Sequence, residues 1–253
     1  NNGLNGGSYV NFIAIIDTNI FASTNLNGIF RSTNNGNSWT KLHTCCLFSI
    51  ISALVASESK IFAGTDSGMF LSVNNGVNWD TINNGLTDTI VTALAISGSN
   101  IFAGTKSGVF RSSNNGSSWS LVSNGFPANT SISSLAVSGT NVFAGTYGNG
   151  VFLSINNGNS WSAINTGLTN LDVMTLTIHS TNIFAGTLGG DVWKRSISDI
   201  LGIKGTMNEK SNIKLYPNPN YGVFMINSNS ALSSIEVYSL TGELLYSNYN
   251  LIR

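Results

Sequence analysis

Short apolar segments recur along this chain, separated by turns that are rich in Asn, Ser and Gly. One segment, Val91–Ser97, alternates the large side chains of Leu94 and Ile96 with small alanines, so that both of its faces are apolar. Apolar residues on both faces are typical of a strand that is covered on both sides. The same pattern is found at Ile51–Ser57, Ile132–Ser138, residues 173–178 and, more loosely, Val10–Ile16. The pattern therefore predicts an innermost strand in each of five repeated units.

Three more strand-like segments follow in a complete unit. The second segment reads Ile-Phe-Ala-Gly-Thr or a close variant at residues 20–24, 61–65, 101–105, 142–146 and 183–187. The third reads Gly, an apolar residue and Phe at residues 28–30, 68–70, 108–110 and 150–152. Gly at this place favours a tight hairpin turn between the second and third strands. The fourth segment, residues 118–122 in the third unit, follows a turn of its own.

This last turn carries the phrase Ser-x-Asn-Asn-Gly-x-x-Trp. Asn and Gly tolerate the positive φ of tight turns, and Ser and Asn side chains hydrogen-bond the backbone of such turns. We expect the Trp to pack near its turn at the outer edge of each unit. The candidate motif residues are Ser32, Asn34, Gly36, Trp39, Ser72, Asn74, Gly76, Trp79, Ser112, Asn114, Gly116, Trp119, Ser154, Asn156, Gly158 and Trp161.

The spacing of these tryptophans predicts the architecture. They lie 40, 40 and 42 residues apart, and a period of about 40 with four short strands is typical of a β-propeller blade. We therefore predict an all-β fold in which residues 1–198 form a propeller of four full blades and a fifth without its outer strand. The period ends after residue 198, which predicts a linker at 199–212 and a small, incomplete β-sandwich at 213–253.

The repeated phrase resembles the Asp-box, Ser-x-Asp-x-Gly-x-x-Trp, of sialidases, sortilin-type receptors, photosystem II assembly factors and some glycoside hydrolases. Asn34, Asn74, Asn114 and Asn156 stand where that pattern has Asp. In those families the motif belongs to the fold and lies away from the ligand site. The resemblance therefore implies a structural role for the repeated residues, and function must come from elsewhere.

The opening residues Asn1-Asn2-Gly3-Leu4 copy residues 83–86, which follow the outer strand of the second unit. We therefore expect residues 1–4 to be the tail of an earlier blade and the chain to be a fragment with an incomplete ring. Exposed sheet edges favour association between chains.

The tail carries a second signature, Tyr-Pro-Asn-Pro-x-x-Gly-x-Phe, followed by Val-Tyr-Ser-x-x-Gly-Glu-Leu. Together these phrases resemble the C-terminal sorting domain of the Bacteroidetes type IX secretion system. The resemblance implies the type IX machinery as a partner and a location outside the cell or on the outer-membrane surface. A generic β-sandwich accessory domain is the alternative. The residues that carry the resemblance are Tyr216, Pro217, Asn218, Pro219, Gly222, Phe224 and Gly242.

Charge is scarce in this chain. Charged residues make up 9% of the sequence and the net charge is zero, whereas roughly 25% is usual. Such a surface offers no electrostatic footprint for nucleic acid, and no apolar run approaches the ~20 residues of a membrane helix. We expect neither a nucleic-acid partner nor an integral membrane segment.

The candidates for chemistry are few. Cys45 and Cys46 are adjacent, and since a bridge between neighbours is strained we interpret them as free thiols. The alternative is that the two cysteines form a metal site or a redox pair, with His43 close by in sequence. No further Cys or His cluster lies near them to complete a metal site. We therefore predict no cofactor and no metal.

Sialidase activity, as the family resemblance implies, requires three arginines that bind the substrate carboxylate. The arginines of this chain, Arg31, Arg111, Arg195 and Arg253, do not form a credible triad. A xyloglucanase-like site would require two facing carboxylates, for which Asp88 and Asp172 are the nearest candidates. We predict an exported noncatalytic binding or scaffold module for an unknown protein or glycan. The alternative is a secreted carbohydrate-active enzyme, sialidase-like or xyloglucanase-like, whose catalytic residues lie in missing blades.

Connections that lead into the inner strands vary most between units, which makes them candidates for ligand contact. They cover residues 43–49, 88–90, 126–131 and 169–172. The apolar Leu47, Phe48, Phe126 and Pro127 in these connections either form a contact patch or pack onto the blades.

Overall fold

The computed structural model describes residues 2–4, 9–24, 28–42, 50–202, 213–216, 225–228, 235–238 and 244–248. Across these ranges the chain is almost entirely β-structure. The one helix that they contain, α1 (Ile197–Ile200), is four residues long. The prediction of an all-β fold is confirmed.

Four sheets, which we call blades 1 to 4, each consist of four consecutive antiparallel strands. Blade 1 consists of β1 (Val10–Ile16), β2 (Asn19–Thr24), β3 (Gly28–Ser32) and β4 (Thr40–Lys41). Blade 2 consists of β5 (Ile51–Ser57), β6 (Lys60–Thr65), β7 (Gly68–Ser72) and β8 (Asp80–Thr81). Blade 3 consists of β9 (Val91–Ser97), β10 (Asn100–Thr105), β11 (Gly108–Ser112) and β12 (Ser120–Leu121). Blade 4 consists of β13 (Ile132–Ser138), β14 (Asn141–Thr146), β15 (Gly150–Ser154) and β16 (Ser162–Ala163).

The fifth sheet, blade 5, has three strands in the part of the chain that the structure describes. They are β17 (Val173–His179), β18 (Asn182–Thr187) and β19 (Val192–Ser196). Strand order follows the sequence in every blade, and the inner strands β1, β5, β9 and β13 lie next to one another in turn. The prediction of four full blades and one partial blade is confirmed.

The outer strands β4, β8, β12 and β16 are only two residues long, shorter than the sequence pattern indicates. In blade 3 the ladder consists of Arg111 opposite Ser120 and Phe110 opposite Leu121. Trp119 does not extend this ladder, because its backbone N–H donates to the carbonyl of Asn84 in the connection after blade 2, at 2.8 Å. The outer edge of a blade is thus bonded partly to the preceding blade.

The apolar core lies in layers between blades. One layer brings Phe21 and Ile29 of blade 1 against Leu54, Ile61 and Trp79 of blade 2, all of them buried. Equivalent residues form the layers between blades 2 and 3 and between blades 3 and 4. Burial of this apolar surface is the main favourable contribution to folding.

At the centre of each layer the first residue of an inner strand inserts against a glycine of the preceding blade. A Cβ added to Gly104 would lie 2.5 Å from Cγ2 of Ile132, so only glycine leaves room for that side chain. The same relation holds between Gly64 and Val91 and between Gly145 and Val173. In blade 1 the equivalent residue is Ser23, which is buried and whose hydroxyl has no hydrogen-bond partner among the described residues.

The chain divides into two compact units. The first comprises Asn1–Ile178 and Phe184–Trp193, and the second comprises His179–Ile183 and Lys194–Arg253. In the second unit Ile197 N–H donates to the carbonyl of Thr181 at 2.8 Å. Its remaining described strands form two antiparallel pairs, β20 (Ile213–Tyr216) with β21 (Met225–Ser228) and β22 (Ile235–Tyr238) with β23 (Leu244–Asn248). The expected domain boundaries at residues 198 and 213 stay a prediction.

The described part of the chain contains no helix that is long and apolar enough to span a membrane.

The glycine sockets generate a first prediction. We expect Gly104→Ala to lower the free energy of unfolding by about 1–3 kcal/mol, because the added methyl group collides with Ile132. Ser23→Ala is the control: it keeps a Cβ that blade 1 already accommodates and removes an unpaired buried hydroxyl, so we expect a neutral or stabilising effect of about 1 kcal/mol. Urea denaturation gives the free energy of unfolding of both variants. Equal changes in the two variants would contradict the inference that Ile132 requires a glycine at position 104.

Candidate functional site

The repeated turn is held together by its own Ser and Asn side chains. In blade 3 the hydroxyl of Ser112 accepts the N–H of Gly116 at 2.8 Å and donates to Oδ1 of Asn114 at 2.8 Å. The same Oδ1 accepts the N–H of Ser118 at 3.0 Å. The turns of blades 1, 2 and 4 repeat these bonds at Ser32, Ser72 and Ser154.

The structure gives a physical account of Asn at the position where the resembling motif has Asp. The amide Nδ2 of Asn114 donates to the hydroxyl of Ser118 at 2.9 Å, a bond that a carboxylate could not donate. Asn34 and Asn156 make the same bond to Ser38 and Ser160. The next Asn in each turn has positive φ, between 55° and 57°, as expected of a tight turn. These residues are Asn35, Asn75, Asn115 and Asn157.

The indole N–H groups of the motif tryptophans donate either to the preceding blade or to their own turn. Trp119 Nε1–H donates to the carbonyl of Ile82, and Trp161 Nε1–H donates to that of Val122, both at 2.7 Å. The indoles of Trp39 and Trp79 donate instead to the glycine carbonyls of their own turns at 3.1 Å. Three of these side chains are buried, and Trp39 is half-buried.

Arginine reinforces the same contact between neighbouring blades. Arg111 of blade 3 donates to the carbonyl of Asn157 at 2.6 Å and to Oδ1 of Asn159 at 2.9 Å, both in the turn of blade 4. Arg31 makes a longer bond of 3.5 Å to the carbonyl of Asn75 in blade 2. The polar groups of the turn are therefore used in contacts within and between blades.

Loops at the other end of the blades form a separate surface, which we call the loop end. It contains the hairpins between second and third strands and the connections that lead into the inner strands. Backbone bonds join these two kinds of loop: Asp66 N–H donates to Ile50 O, Tyr147 N–H to Ser131 O and Leu188 N–H to Asp172 O. These loops differ in length and sequence between blades, unlike the repeated turns at the opposite end.

The loop end carries exposed apolar side chains from four successive blades. Blade 4 supplies Tyr147, which is 45% exposed, and blade 5 supplies Leu188, which is 56% exposed. The set from blades 2 to 5 is Ile50, Ile90, Tyr147, Leu171 and Leu188, and Tyr9, which directly precedes β1, is 77% exposed as well. The repeated turns at the opposite end also expose Val73, Val77 and Ile155. The loop end is the candidate contact surface because its exposed apolar residues come from successive blades and from loops that differ between blades.

Four carboxylates of the described residues lie at this end, those of Asp66, Asp88, Asp172 and Asp191, and that of Asp88 is occupied by structural hydrogen bonds. Asp88 accepts the N–H of Ile90 at 3.1 Å and that of Ser107 at 2.9 Å, which fastens the connection to the hairpin of blade 3. Partial burial alone would raise the pKa of Asp88, but hydrogen bonds from Ile90, Ser107 and Thr105 lower it by more, so it lies below its ordinary value. A general acid at neutral pH needs the opposite shift. Asp172 is half-buried in the connection before β17.

Of the apolar candidates, Phe126 packs against the apolar layer between blades 3 and 4. Its ring lies 4.6 Å from that of Phe152 and 4.9 Å from that of Trp161, measured between centroids. Pro127 is exposed at the loop end. The remaining candidates, His43, Cys45, Cys46, Leu47 and Phe48, lie outside the described residues.

Within the described ranges no group of three His, Cys, Asp or Glu residues is arranged to hold a metal ion. A cavity of about 260 Å³ lies at the end opposite the loop end, between the hairpins after β5 and β9. Its lining includes the ion pair of Lys60 and Glu58, 3.2 Å apart, and the apolar Phe62 and Ile96.

Residues 214–252 match the family described as secretion system C-terminal sorting domain. Tyr216 is the last residue of β20. The other predicted motif residues, Pro217, Asn218, Pro219, Gly222, Phe224 and Gly242, lie outside the described residues. No curated protein matches the chain.

Solved structures that resemble the chain are β-propellers. The extracellular domain of the one component system BT4673 from B. thetaiotaomicron aligns with a TM-score of 0.61 and 18% identity, over 72% of this chain and 26% of that one. An ancestral GH74 enzyme aligns with a TM-score of 0.61 and 18% identity, over 98% and 39%. YCF48 bound to D1 peptide aligns with a TM-score of 0.60 and 12% identity, over 75% and 65%.

At these identities the likeness shows the fold, and the chain spans well under half the length of the first two structures. The chain is therefore a β-propeller followed by a type IX sorting domain. The tail indicates handling by the type IX machinery, which delivers its cargo for secretion or attachment to the cell surface.

The tryptophan contacts generate a second prediction. We expect Trp119→Ala to lower the free energy of unfolding by about 3–5 kcal/mol, because a large buried side chain is lost. Trp119→Phe should cost about 1–2 kcal/mol, since the ring is kept while the carbonyl of Ile82 loses its donor. Thermal and urea unfolding measure both values, with the exposed Leu121→Ala as control. Equal losses from Trp119→Phe and Leu121→Ala would refute the role of the indole bond.

Asp88 generates a third prediction, about pH. Its folded-state pKa lies below the ordinary value of 3.8, so ionised Asp88 stabilises the fold at neutral pH and this contribution is lost as the pH falls through that region. We expect Asp88→Asn to lower stability by about 1 kcal/mol or less at pH 7, given its partial exposure. The difference from the parent should shrink below about pH 4. Asp80→Asn in β8 is the charge-matched control, and a difference that grows in acid would contradict the assignment.

Proposed function

We propose that this protein is an exported, noncatalytic propeller that binds a protein or glycan outside the cell through its loop end. The four repeated turns act as an Asp-box-like structural repeat, and the sorting domain delivers the propeller to the cell surface or the medium. The observation that carries the proposal is the exposed apolar side chain that each of blades 2 to 5 presents at the loop end.

The chemistry of the loop end supports binding by apolar and backbone contacts. Neighbouring backbone groups are already bonded between hairpin and connection, which makes the loops a preorganised platform. A preorganised surface loses little entropy when a ligand binds. Exposed Tyr147 and Leu188 supply the kind of apolar area that contributes most to an interface or to stacking on a sugar ring.

The environments of Asp88, Arg31 and Arg111 also favour a noncatalytic role. Glycoside hydrolysis requires one carboxylic acid with a raised pKa and a second carboxylate at a defined separation. The pKa of Asp88 is shifted in the other direction by the bonds that fasten its loop. Arg31 and Arg111 are bonded to turns at the opposite end of the blades, so they do not converge on a carboxylate ligand.

The solved relatives include proteins of both kinds. One is titled as YCF48 bound to D1 peptide, and others are GH74 enzymes, among them a xyloglucanase from Xanthomonas campestris with 16% identity and a TM-score of 0.61 over 77% of this chain and 37% of that chain. A propeller of this construction therefore suits either role, and the loop end decides between them.

A fourth prediction tests the loop end. We expect the chain to bind at least one member of a panel of neutral oligosaccharides and apolar peptides, and Tyr147→Ala with Leu188→Ser to weaken that binding at least fivefold. Two exposed apolar residues at the outer edge, Leu121 and Ile155, provide the matched control as Leu121→Ser with Ile155→Ser. Calorimetric titration measures the affinities.

Catalysis is measured in parallel with xyloglucan and sialyllactose as substrates. No release of reducing sugar or sialic acid is expected. Product release that Asp88→Asn or Asp172→Asn abolishes would replace the proposal with the carbohydrate-active enzyme. If binding is kept in the loop-end variant and lost in the outer-edge control, the binding site lies at the outer edge and the proposal is wrong.

A further inference from the structure

The connections that follow blades 2 and 3 each contain an Asn-Gly pair, Asn84-Gly85 and Asn124-Gly125. Four further Asn-Gly pairs lie within blades 2 to 4, and they begin at Asn75, Asn115, Asn149 and Asn157. Asn is among the chemically labile residues of proteins. A following Gly makes it most reactive, because no side chain hinders the backbone nitrogen that attacks the amide. The six pairs therefore share a similar intrinsic reactivity, and the fold decides which of them reacts.

The reaction is deamidation, in which the backbone nitrogen of the glycine attacks Cγ of the asparagine. A bond forms between this nitrogen and Cγ, the bond from Cγ to Nδ2 breaks, and Nδ2 leaves as ammonia with the proton of the glycine N–H. Water then opens the resulting five-membered imide at either carbonyl carbon, which gives aspartate or isoaspartate. Because the attacking nitrogen must lose its proton, a glycine N–H that is buried in a hydrogen bond should react slowly.

Four of the six glycine N–H groups are held in this way. In the turn of blade 3, buried Gly116 donates its N–H to the hydroxyl of Ser112 at 2.8 Å. The turns of blades 2 and 4 have the same bond at 2.9 and 2.8 Å, and their glycines are buried as well. In the hairpin of blade 4, buried Gly150 donates instead to the carbonyl of Leu171 at 2.9 Å. The four bonds have two kinds of acceptor, so the protection does not depend on the repeated motif alone.

The other two glycines lie in exposed turns. A bond of 2.9 Å from Leu86 N–H to Asn83 O closes the turn around Asn84 and Gly85, and a bond of 3.1 Å closes the equivalent turn after blade 3. In the part of the chain that the structure describes, neither Gly85 N–H nor Gly125 N–H donates a hydrogen bond. Both glycines and the asparagines before them are exposed. The attacking nitrogen is thus open to water at these two places.

We propose that Asn84 and Asn124 are the sites at which the folded chain deamidates, and that isoaspartate formed there loosens the contact between neighbouring blades. The carbonyl of Asn84 accepts the N–H of Trp119 at 2.8 Å, and that of Asn124 accepts the N–H of Trp161 at 2.9 Å. Isoaspartate adds one carbon to the main chain beside this carbonyl, so the bond to the next blade cannot keep its geometry. The amide of Asn84 also donates to Ser117 O at 3.3 Å, and either acidic product loses this bond.

The experiment compares the six pairs within one molecule. The 253-residue chain is incubated at pH 8 below its melting temperature, digested, and analysed by mass spectrometry with fragmentation that distinguishes isoaspartate from aspartate. We expect Asn84 and Asn124 to react at least about tenfold faster than the other four asparagines, whose attacking N–H groups are bonded. The chain unfolded in guanidinium chloride is the reference, and there we expect the six rates to agree within about threefold.

A substitution in one turn tests the protective bond itself. Ser112→Ala removes the acceptor of Gly116 N–H and should raise the deamidation rate of Asn115 at least about fivefold. Ser112→Thr keeps the hydroxyl and should react like the parent. Asn75, in the unchanged turn of blade 2, is the internal control, since a general loss of structure would raise its rate as well. Circular dichroism and thermal melting verify that both variants fold.

The melting temperature before and after incubation tests the consequence for the fold. That of the parent should fall as Asn84 and Asn124 are modified. The double variant Asn84→Gln with Asn124→Gln should keep its starting value, because Gln must close a larger ring and reacts much more slowly. The matched control, Asn75→Gln with Asn115→Gln, should lose stability during incubation as the parent does.

Three results would overturn the proposal. Comparable rates at all six pairs in the folded chain, or faster reaction in the repeated turns, would show that the hydrogen bonds do not select the sites. The same order of rates in the unfolded chain would assign the selection to sequence alone. A melting temperature that stays unchanged after Asn84 and Asn124 have reacted would show that these residues do not matter for the contact between blades.

Discussion

The structure depends on one steric relation, the insertion of a β-branched side chain into a glycine socket of the preceding blade. Without a Cβ at Gly64, Gly104 and Gly145, the inner strands approach closely enough to bury Phe and Ile side chains in the layers between blades. The hydroxyl bonds between inner strands and the tryptophan and arginine contacts at the outer edge all span the same interfaces. Each blade therefore needs a neighbour, as expected of repeat proteins whose single units cannot bury their own faces.

Much of this could be predicted from the sequence, because the determining residues are local and repeat. Alternation in β9 and its equivalents, the glycine before β11 and the tryptophan period together predict the number of blades and the bounds of most strands. The outer strands were predicted too long, since nothing in residues 118–122 indicates that the N–H of Trp119 bonds outside its blade. Its partner is Asn84, distant in sequence, and a pattern within one repeat carries no information about such a bond.

At the loop end, too, contacts between residues distant in sequence could not be predicted from the repeat pattern. Sequence variation identified the connections as candidates, but could not separate Phe126, which packs against Phe152 and Trp161, from side chains that remain exposed. The exposed set includes Tyr147 and Leu188, which lie in hairpins that the sequence pattern treats as ordinary turns. Asp88 was likewise a candidate acid, and only its bonds to Ile90 and Ser107 reveal a structural use.

Repetition separates the two kinds of surface on this molecule. At the turn end the same Ser, Asn and Trp recur because each must satisfy the same bonds to its own turn and to the blade before it. At the loop end no such requirement acts on the exposed side chains, and residues there are free to differ from blade to blade. The loops can therefore vary in sequence while the interfaces between blades stay constant. The repeated residues are therefore explained by bonds within and between blades, and the departures from regularity are the candidates for ligand contact.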